Sequence, residues 1–267
     1  MSFVHLHVHS HYSILDGACK IPELVDKASR AGMPGIALTD HGNLFGAIDF
    51  YDAARAANIT PILGYEAYIA IGSRTARGRG HGGYYHLTLL VENRTGYQNL
   101  LKIATESYLN GFYYKPRIDN EFLAEHSEGL ICLTGCLRGE LAQRLIHEEH
   151  EEADKLIEFY RECFGDRLYA EYQFNGIDLQ KKYLEALIPV AKRHNLPTVI
   201  TNDVHYLDQE DAIPHDALLC IQTGKKIADP KRLRFSTNDF FLKTPEQMRQ
   251  DWRGHEDSLL RTVEVAE

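Results

Sequence analysis

Closely spaced histidines near the start of the chain are the first residues whose types and spacing could do chemistry. The segment His5–His11 (HLHVHSH) places an imidazole at every second position. Alternate side chains of a β-strand share one face, so a strand over Phe3–His9 would project its imidazoles the same way. Imidazole nitrogens are common metal ligands, whereas stacked histidines fill a packed core poorly. The pattern therefore predicts a metal site, with a solvated polar strand face as the alternative.

A second group, Asp40 and His41, directly follows the apolar segment Gly35–Thr39. Gly42 permits a tight turn after the histidine. This places His41 at the carboxyl end of a predicted strand, where α/β barrels keep their chemistry. We expect Asp40 to orient a histidine ligand or to cap the next helix.

A third group, Asp203 and His205, follows another apolar segment and would share one face of an extended chain. Three single residues lie on or near other predicted strands: Glu66, His86 and Cys136. Each of these three alone is better explained as a satisfied buried polar group or a small apolar filler. Together they indicate a cluster of ligands at the rim of a barrel.

The elements that must position these residues alternate along the chain. Strands are predicted over Phe3–His9, Gly35–Thr39, Thr60–Ala70, Tyr85–Val91, Gly129–Thr134, Arg167–Tyr172 and Thr198–Asn202. Helices are predicted over Pro22–Ala31, Ala47–Ala57, Gly96–Tyr108, Glu140–Cys163 and Leu179–Arg193, with mixed helix and loop after Asp208. Such alternation is typical of a mostly parallel α/β sheet with helices outside it. We expect a closed or nearly closed barrel, with an open doubly wound sheet as the alternative.

Composition limits the classes of function. The chain has 267 residues, enough for one α/β barrel, and a net charge of −9, so no global basic field attracts nucleic acid. The segment Gly72–Gly83 is the one strongly basic stretch. The five cysteines form no CxxC pair, which favours a reduced cytoplasmic location. No signal-peptide pattern opens the sequence, and no apolar stretch is long enough to span a membrane.

Taken together, these motifs resemble those of the PHP (polymerase and histidinol phosphatase) family. The resemblance spans essentially the whole chain and includes His5–Gly17, Thr39–Phe45, Pro61–Ala67, His86–Leu89, Gly111–Asp119, Leu133–Cys136 and Asn202–Tyr206. Within the family, the chain resembles the N-terminal PHP domains of bacterial DNA polymerase III alpha subunits. The resemblance implies a distorted (β/α)7 barrel with three metal ions at the C-terminal rim of its strands. It also implies that residues 1–267 are one PHP domain, excised from a longer polymerase subunit.

The resemblance further implies a set of metal ligands. They are His7, His9, Asp16, His41, Glu66, His86, Cys136, Asp203 and His205. His5 and His11 then lie outside the metal shell. Asp16 and Cys136 stand where the phosphatase branch usually has histidine, as in polymerase-type members. Both can bind zinc, but a thiolate suits manganese less well. The implied ions are zinc or manganese, with iron or magnesium as further alternatives, and the complete set predicts a working site.

The activity that the resemblance implies is hydrolysis of a phosphodiester at the 3′ end of DNA, which in a polymerase would remove misinserted nucleotides. Asp16 and Asp203 are the expected catalytic carboxylates, and they partly neutralise the metal charge. Arg117 is a candidate phosphate clamp because its planar guanidinium suits bidentate contact, with a surface ion pair as the alternative.

The implied partners are a DNA 3′ end, the remaining domains of a polymerase alpha subunit and other replisome subunits, without a membrane. Two alternatives remain open from the sequence. One is a phosphomonoesterase or pyrophosphatase that acts on a small substrate, and the other is a metal-stabilised structural domain without catalysis.

Overall fold

A curled sheet surrounded by helices forms the body of the computed structural model, which describes residues 2–14 and 16–267. Leu15, inside the His5–Gly17 motif, lies outside the described residues. The strands are β1 (Gly35–Leu38), β2 (Thr60–Ala70), β3 (Tyr84–Val91), β4 (Arg117–Ile118), β5 (Leu130–Leu133), β6 (Leu168–Gln173) and β7 (Thr198–Thr201). Their order is β1-β2-β3-β5-β6-β7, and β4 pairs with β2. The predicted α/β barrel class is confirmed.

One strand departs from the predicted parallel arrangement. The pairs β1/β2, β2/β4, β5/β6 and β6/β7 are parallel, whereas β3 runs antiparallel to both β2 and β5. The chain returns from β2 to β3 through the loop Gly72–Gly83, and an antiparallel neighbour needs only such a loop and no crossover helix. The reversal brings the start of β3 to the rim at which the neighbouring strands β2 and β5 end.

The predicted strand over Phe3–His9 is not a regular strand among the described residues. Its backbone nevertheless joins the two ends of the sheet. The amide of Ala37 donates to His5 O (2.8 Å) on the β1 side, and the amide of His9 donates to Val204 O (2.8 Å) after β7. The regular ladder is broken because the Val8 amide donates to the Thr39 hydroxyl (2.9 Å), a side-chain acceptor. The segment thus joins the two ends of the sheet through isolated bridges and not through a continuous ladder.

Helices cover the outside of the sheet. They are α1 (Ile21–Arg30), α2 (Ala47–Ala56), α3 (Arg94–Leu109), α4 (Asn120–Glu125), α5 (Glu140–Ile146), α6 (His150–Phe164), α7 (Asp178–Arg193), α8 (Ala212–Thr223), α9 (Pro245–Asp251) and α10 (Glu256–Ala266). The single helix predicted over Glu140–Cys163 is wrong, because the chain breaks between α5 and α6. Glu148 has a φ of 63° there, and such a left-handed residue cannot continue a right-handed helix.

The two ends of the barrel differ in chemistry. One end is filled by a layer of buried apolar side chains: Val4, Leu6, Ala37, Ile62, Leu90, Leu133 and Val199. Val263 and Ala266 of α10 pack against this layer. The opposite end carries the polar residues of the predicted site, so the apolar layer and α10 support that site from below. No helix in residues 2–14 and 16–267 combines the length and apolar character needed to cross a bilayer.

Candidate metal centre

Glu66 is the hub of a cluster at the polar end of the barrel. It lies within β2 and is 1% exposed. Its Oε1 lies 3.5 Å from His7 Nε2 and 2.8 Å from His86 Nδ1. Its Oε2 lies 3.4 Å from His9 Nε2 and 2.5 Å from His41 Nδ1. A single buried carboxylate therefore faces four imidazoles, so oxygen and nitrogen donors that could ligate metal ions meet at one place.

His7 and His9 reach this hub from the segment that closes the barrel, and both are fully buried. His5 turns away, and its Nε2 approaches Lys243 O at 2.8 Å. His11 approaches Cys19 O through its Nδ1 at 3.2 Å. Of the four alternating imidazoles, those of His7 and His9 therefore face Glu66 and those of His5 and His11 do not. His5 and His11 lie outside the cluster.

Asp203 and His205 follow the end of β7. Asp203 Oδ1 lies 3.4 Å from His7 Nε2 and 3.2 Å from His9 Nε2. The backbone of Asp203 has a φ of 49°, a left-handed conformation that is uncommon for a residue with a side chain. Such strain persists where the surrounding structure requires it, often at functional sites. Here it accompanies the turn of this carboxylate towards the histidines.

Asp16 and His41 complete another side of the cluster, with Asp16 Oδ2 3.3 Å from His41 Nε2. His41 is followed by Gly42, whose φ of 61° confirms the predicted tight turn. A Cβ at Gly42 would lie 2.8 Å from Tyr68 and Pro116 side-chain atoms, so a larger residue would displace the turn.

His86 and Cys136 supply the last donors. His86 lies near the start of β3, and the antiparallel direction of that strand is what brings it to the rim. Cys136 Sγ lies 3.6 Å from Glu66 Oε1 and 3.8 Å from His86 Nδ1. Gly135 precedes the cysteine with a φ of 86°, which turns the chain as it leaves β5.

Unpaired donor atoms show what this cluster can hold. Several buried side-chain atoms make no well-aligned hydrogen bond among the described residues, although most of them lie 2.5 to 3.5 Å from another atom of the cluster: His7 Nε2, His9 Nε2, Asp16 Oδ1, His41 Nδ1, Glu66 Oε2 and Asp203 Oδ1. Three overlapping groups have ligand atoms within 4.8 Å of one another: His9 with His41 and His205, His7 with His9 and Glu66, and His41 with Glu66 and His86. Unpaired buried polar atoms are costly in a protein alone, whereas a divalent ion would satisfy them. The residues fit metal ions.

Charge in the cluster favours metal binding at the carboxylates. Burial opposes charge on Glu66, but the neighbouring His86 and His41 imidazoles offset it and hold the pKa of that carboxyl well below its usual range. His41 likewise lowers the pKa of the buried Asp16 carboxyl, and His7 lowers that of Asp203. These groups are therefore ionised, as metal ligands must be.

Cys136 behaves differently. Burial, followed by the charge of Glu66, raises the pKa of its thiol well above the usual range. The thiol therefore carries its proton in the protein alone. Binding of a metal ion at Cys136 would release that proton, because a thiolate is the form that ligates.

A second layer of residues orients the histidines. Asp40 accepts a hydrogen bond from Ser13 Oγ (3.0 Å), and the same Ser13 Oγ lies 3.0 Å from His9 Nδ1. Asp40 therefore has the predicted orienting role, which it exerts on His9 through Ser13. Sequence reasoning missed Glu171, which is fully buried on β6 and lies 2.7 Å from His7 Nδ1. The sequence feature that could have identified Glu171 is a carboxylate inside an apolar strand, which is the feature that identified Glu66.

His215 on α8 was also missed. Its Nε2 donates to the backbone carbonyl of Asp16 at 2.7 Å, and its ring centroid lies 5.9 Å from that of His205. The helix after the barrel therefore holds the loop that carries Asp16. Nothing in the spacing of the sequence around His215 marked this contact.

A cavity of about 290 Å³ adjoins the cluster. The predicted ligands Asp16, His41, Glu66, His86, Cys136, Asp203 and His205 form part of its lining. Tyr68, Tyr84, Lys115, Arg138 and Phe235 line other sides. Three cationic side chains, those of Lys115, Arg138 and Arg234, and several rings thus face the same space as the cluster.

The structure corrects the expectation for Arg117. Its side chain is buried, and its guanidinium donates to the backbone carbonyls of Gly111, His81, Arg74 and Ala76. It is not among the residues that line the cavity, so it is neither a phosphate clamp nor a surface ion pair. Its hydrogen-bonding capacity is used to hold the loop Gly72–Gly83 against the barrel.

Two arginines of the loop Gly72–Gly83 are bound to the rest of the protein. Arg74 pairs with Glu106 (2.7 Å) and Asp119 (2.9 Å), and Arg77 donates to Asn110 O. The third arginine of the loop, Arg79, forms no ion pair or side-chain hydrogen bond in the part of the chain that the structure describes. The loop is therefore a tethered structural element and not a cluster of free positive charges.

Comparison with known proteins identifies the family of the chain. The PHP domain family matches residues 5–175, and the chain belongs to that family. It is similar along its length to DNA polymerase III subunit alpha: 47% identical to that of Treponema pallidum and 45% to that of Thermus aquaticus. Both matches cover 100% of this chain but only 23% and 22% of those proteins, so the chain spans less than a quarter of their length.

A match to the Deinococcus radiodurans subunit is 40% identical and covers 99% of this chain and 21% of that protein. Among solved structures, an amidohydrolase from Chromobacterium violaceum shares 15% identity over 76% of this chain and 88% of that chain, with a TM-score of 0.49. That likeness is too distant to bear on the site.

Proposed function

We propose that this chain is a metal-dependent phosphoesterase domain that removes nucleotides from the 3′ end of a DNA strand. One observation carries the proposal. Imidazole, carboxylate and thiol donors from several elements converge at one rim, with buried atoms that no protein group satisfies. A cavity lined by cationic and aromatic side chains adjoins them. Donors for cations beside a site for an anion are what phosphoryl chemistry requires.

The nine residues predicted as ligands would hold three divalent ions, with Glu66 and Asp203 each close to more than one imidazole of the set. Zinc fits the imidazole and thiol donors, and manganese fits the carboxylates, so a mixed cluster is consistent with the set. When bound, the ions would supply Lewis-acid activation of water and neutralise charge on the phosphoryl oxygens.

The protein's own residues shape the reaction around the ions. Among the cluster carboxylates, Asp16 and Asp203 have side chains that are 19% and 12% exposed, whereas Glu66 is 1% exposed. Asp16 and Asp203 therefore face the cavity most directly and are the carboxylates assigned to catalysis. Glu66 holds the cluster together from beneath. The cavity walls exclude bulk water from part of this space, which strengthens charge interactions there.

DNA is the proposed substrate because the relatives that match along the whole chain are subunits of a DNA polymerase. The chain would then be one domain of a longer alpha subunit, with the other domains and further replisome subunits as its partners. A cavity of about 290 Å³ accommodates a terminal nucleotide unit and not a duplex. A frayed 3′ end should enter it more easily than a paired one, because unpairing costs free energy.

The test is digestion of a 5′-labelled strand, alone or annealed with a matched or a mismatched 3′ end, on a denaturing gel. With zinc or manganese we expect a ladder that shortens from the 3′ end, fastest for the unpaired ends, and no reaction with a chelator. Release of phosphate from p-nitrophenyl phosphate with DNA left intact would instead favour a small-molecule phosphatase. Bound metal without hydrolysis of either substrate would favour a structural domain.

A further inference from the structure

Lys115 and Arg138 are two of the cationic side chains that line the cavity beside the cluster. In the described residues, neither side chain forms an ion pair or donates a hydrogen bond, although the chain has 38 acidic residues. The buried cation Lys243, by contrast, pairs with Asp239 and Asp251 at 2.7 Å each. Arg234 also lines the cavity and forms no ion pair among the described residues, so three unpaired positive charges face one space, an arrangement that attracts anions.

The two cations stand at the ends of an aromatic wall. Lys115 Nζ lies 5.3 Å from the centre of the Tyr68 ring, and the Arg138 guanidinium lies 5.7 Å from that of Tyr84. The two tyrosine rings pack edge to face with their centres 4.9 Å apart. Contacts with ring faces stabilise the cations where they are and still leave their N–H donors free.

This wall adjoins the metal cluster. The Tyr68 ring stacks on the His41 ring with centres 5.9 Å apart, and the Tyr84 ring stacks on the His86 ring at the same separation. All four rings line the cavity. An anion held by the wall would therefore lie beside the ions that the cluster would bind.

We propose that Lys115 and Arg138 bind the phosphate groups of the DNA strand that enters this cavity. The naming of DNA rests on the proposed function, whereas the assignment of an anion site rests on the wall itself. A guanidinium contacts two phosphate oxygens through its planar fork, and an ammonium acts as a compact point charge. The two residues take the role that the sequence had assigned to Arg117.

The test uses the charge-removing changes Lys115→Met and Arg138→Gln in the metal-loaded 267-residue chain. Lys181→Met and Arg253→Gln are matched controls, because both residues are exposed and lie outside the cavity. The first readout is fluorescence anisotropy of a fluorescein-labelled single-stranded oligothymidylate over a range of salt concentrations. Each lost phosphate contact should lower the slope of log K against log salt by roughly 0.7, while the controls leave it unchanged.

The second readout is the rate of digestion of the same strand. Loss of a charge-assisted hydrogen bond should lower kcat/KM by about tenfold to a hundredfold, mainly through a higher KM. Lys115→Arg should restore most of the loss, because it keeps the positive charge. Melting temperature and bound metal are measured for every variant, so that unfolding and metal loss are distinguished from loss of a phosphate contact.

The outcomes separate this inference from the proposed function. A reduced salt slope in both variants, without digestion by the unmodified chain, would support the phosphate site and count against the hydrolase. Digestion by the unmodified chain, with both variants equal to their controls, would overturn the phosphate site and leave the hydrolase standing. No salt-dependent binding of the strand by the unmodified chain would also overturn the phosphate site.

Discussion

Replacement of Glu171 by glutamine should loosen the metal centre without touching a predicted ligand. Glu171 Oε1 lies 2.7 Å from His7 Nδ1 and accepts hydrogen bonds from Thr201 Oγ1 (2.6 Å) and Gln173 Nε2 (2.9 Å). Its Oε2 accepts from the Gly135 amide at 3.0 Å. A glutamine has the same shape, but its NH2 group must take the place of one of these two acceptor oxygens.

The expected magnitudes follow from these contacts. If the amide oxygen faces His7, the NH2 group meets the Gly135 amide, and a buried donor is left unpaired at a cost of about 1–3 kcal/mol. For a chain of 267 residues this corresponds to a melting temperature lower by roughly 2–5 °C. The loss of negative charge behind His7 makes its imidazole a weaker ligand, so metal affinity should fall by about 10-fold to 100-fold.

The assay is competition for zinc between the protein and a chromophoric chelator, together with thermal unfolding of the metal-loaded protein. Glu185→Gln is the matched control, because Glu185 is exposed on α7 and should leave both quantities unchanged. If Glu171→Gln melted lower but bound zinc as tightly as the unmodified chain, Glu171 would support the fold only. The reasoning that links it to the metal through His7 would then be refuted.

Three other changes should have distinct effects. Chelation of the metal should lower the melting temperature by several degrees, since an ion at 100 times its Kd stabilises the folded protein by about 2.7 kcal/mol per site. An unchanged melting temperature after confirmed metal loss would contradict the metal centre. Asp203→Asn should lower the rate of hydrolysis by orders of magnitude and keep the fold, because asparagine tolerates the φ of 49°. The control is His150→Asn, at the exposed start of α6. Equal loss of hydrolysis in both folded variants would contradict the site. Arg117→Met should leave backbone carbonyls of the loop Gly72–Gly83 unpaired. The free energy of unfolding should therefore fall by about 3 kcal/mol, and trypsin should cleave the loop more readily. Unchanged urea unfolding and proteolysis would show that Arg117 does not hold the loop.

The sequence predicted the fold best where apolar periodicity and strand ends coincide. The strands that carry Glu66 and His86 lie where the pattern placed them, because long apolar runs specify buried strands. The prediction of a regular strand over Phe3–His9 was wrong, because this segment pairs with its neighbours through isolated bridges and not through a continuous ladder. The side chain of Thr39 takes the Val8 amide, and such side-chain acceptors are invisible to periodicity.

Side-chain roles were harder to predict than positions. The Arg117 prediction rested on the chemistry of its guanidinium, but its buried place depends on how the loop Gly72–Gly83 wraps around it. Glu171 and His215 contact the cluster through long-range packing, from β6 and from α8. No local motif encodes such contacts, so only the folded chain brings them to the site.

Metal titration of hydrolysis tests the central proposal most directly. The chain is stripped with a chelator and reloaded with graded zinc or manganese, and the bound metal and the digestion of a 5′-labelled single strand are measured in the same samples. We expect no digestion without metal and an onset as the sites fill towards the proposed three ions per chain. Equal digestion by stripped and reloaded protein, or intact DNA at full metal occupancy, would contradict the account.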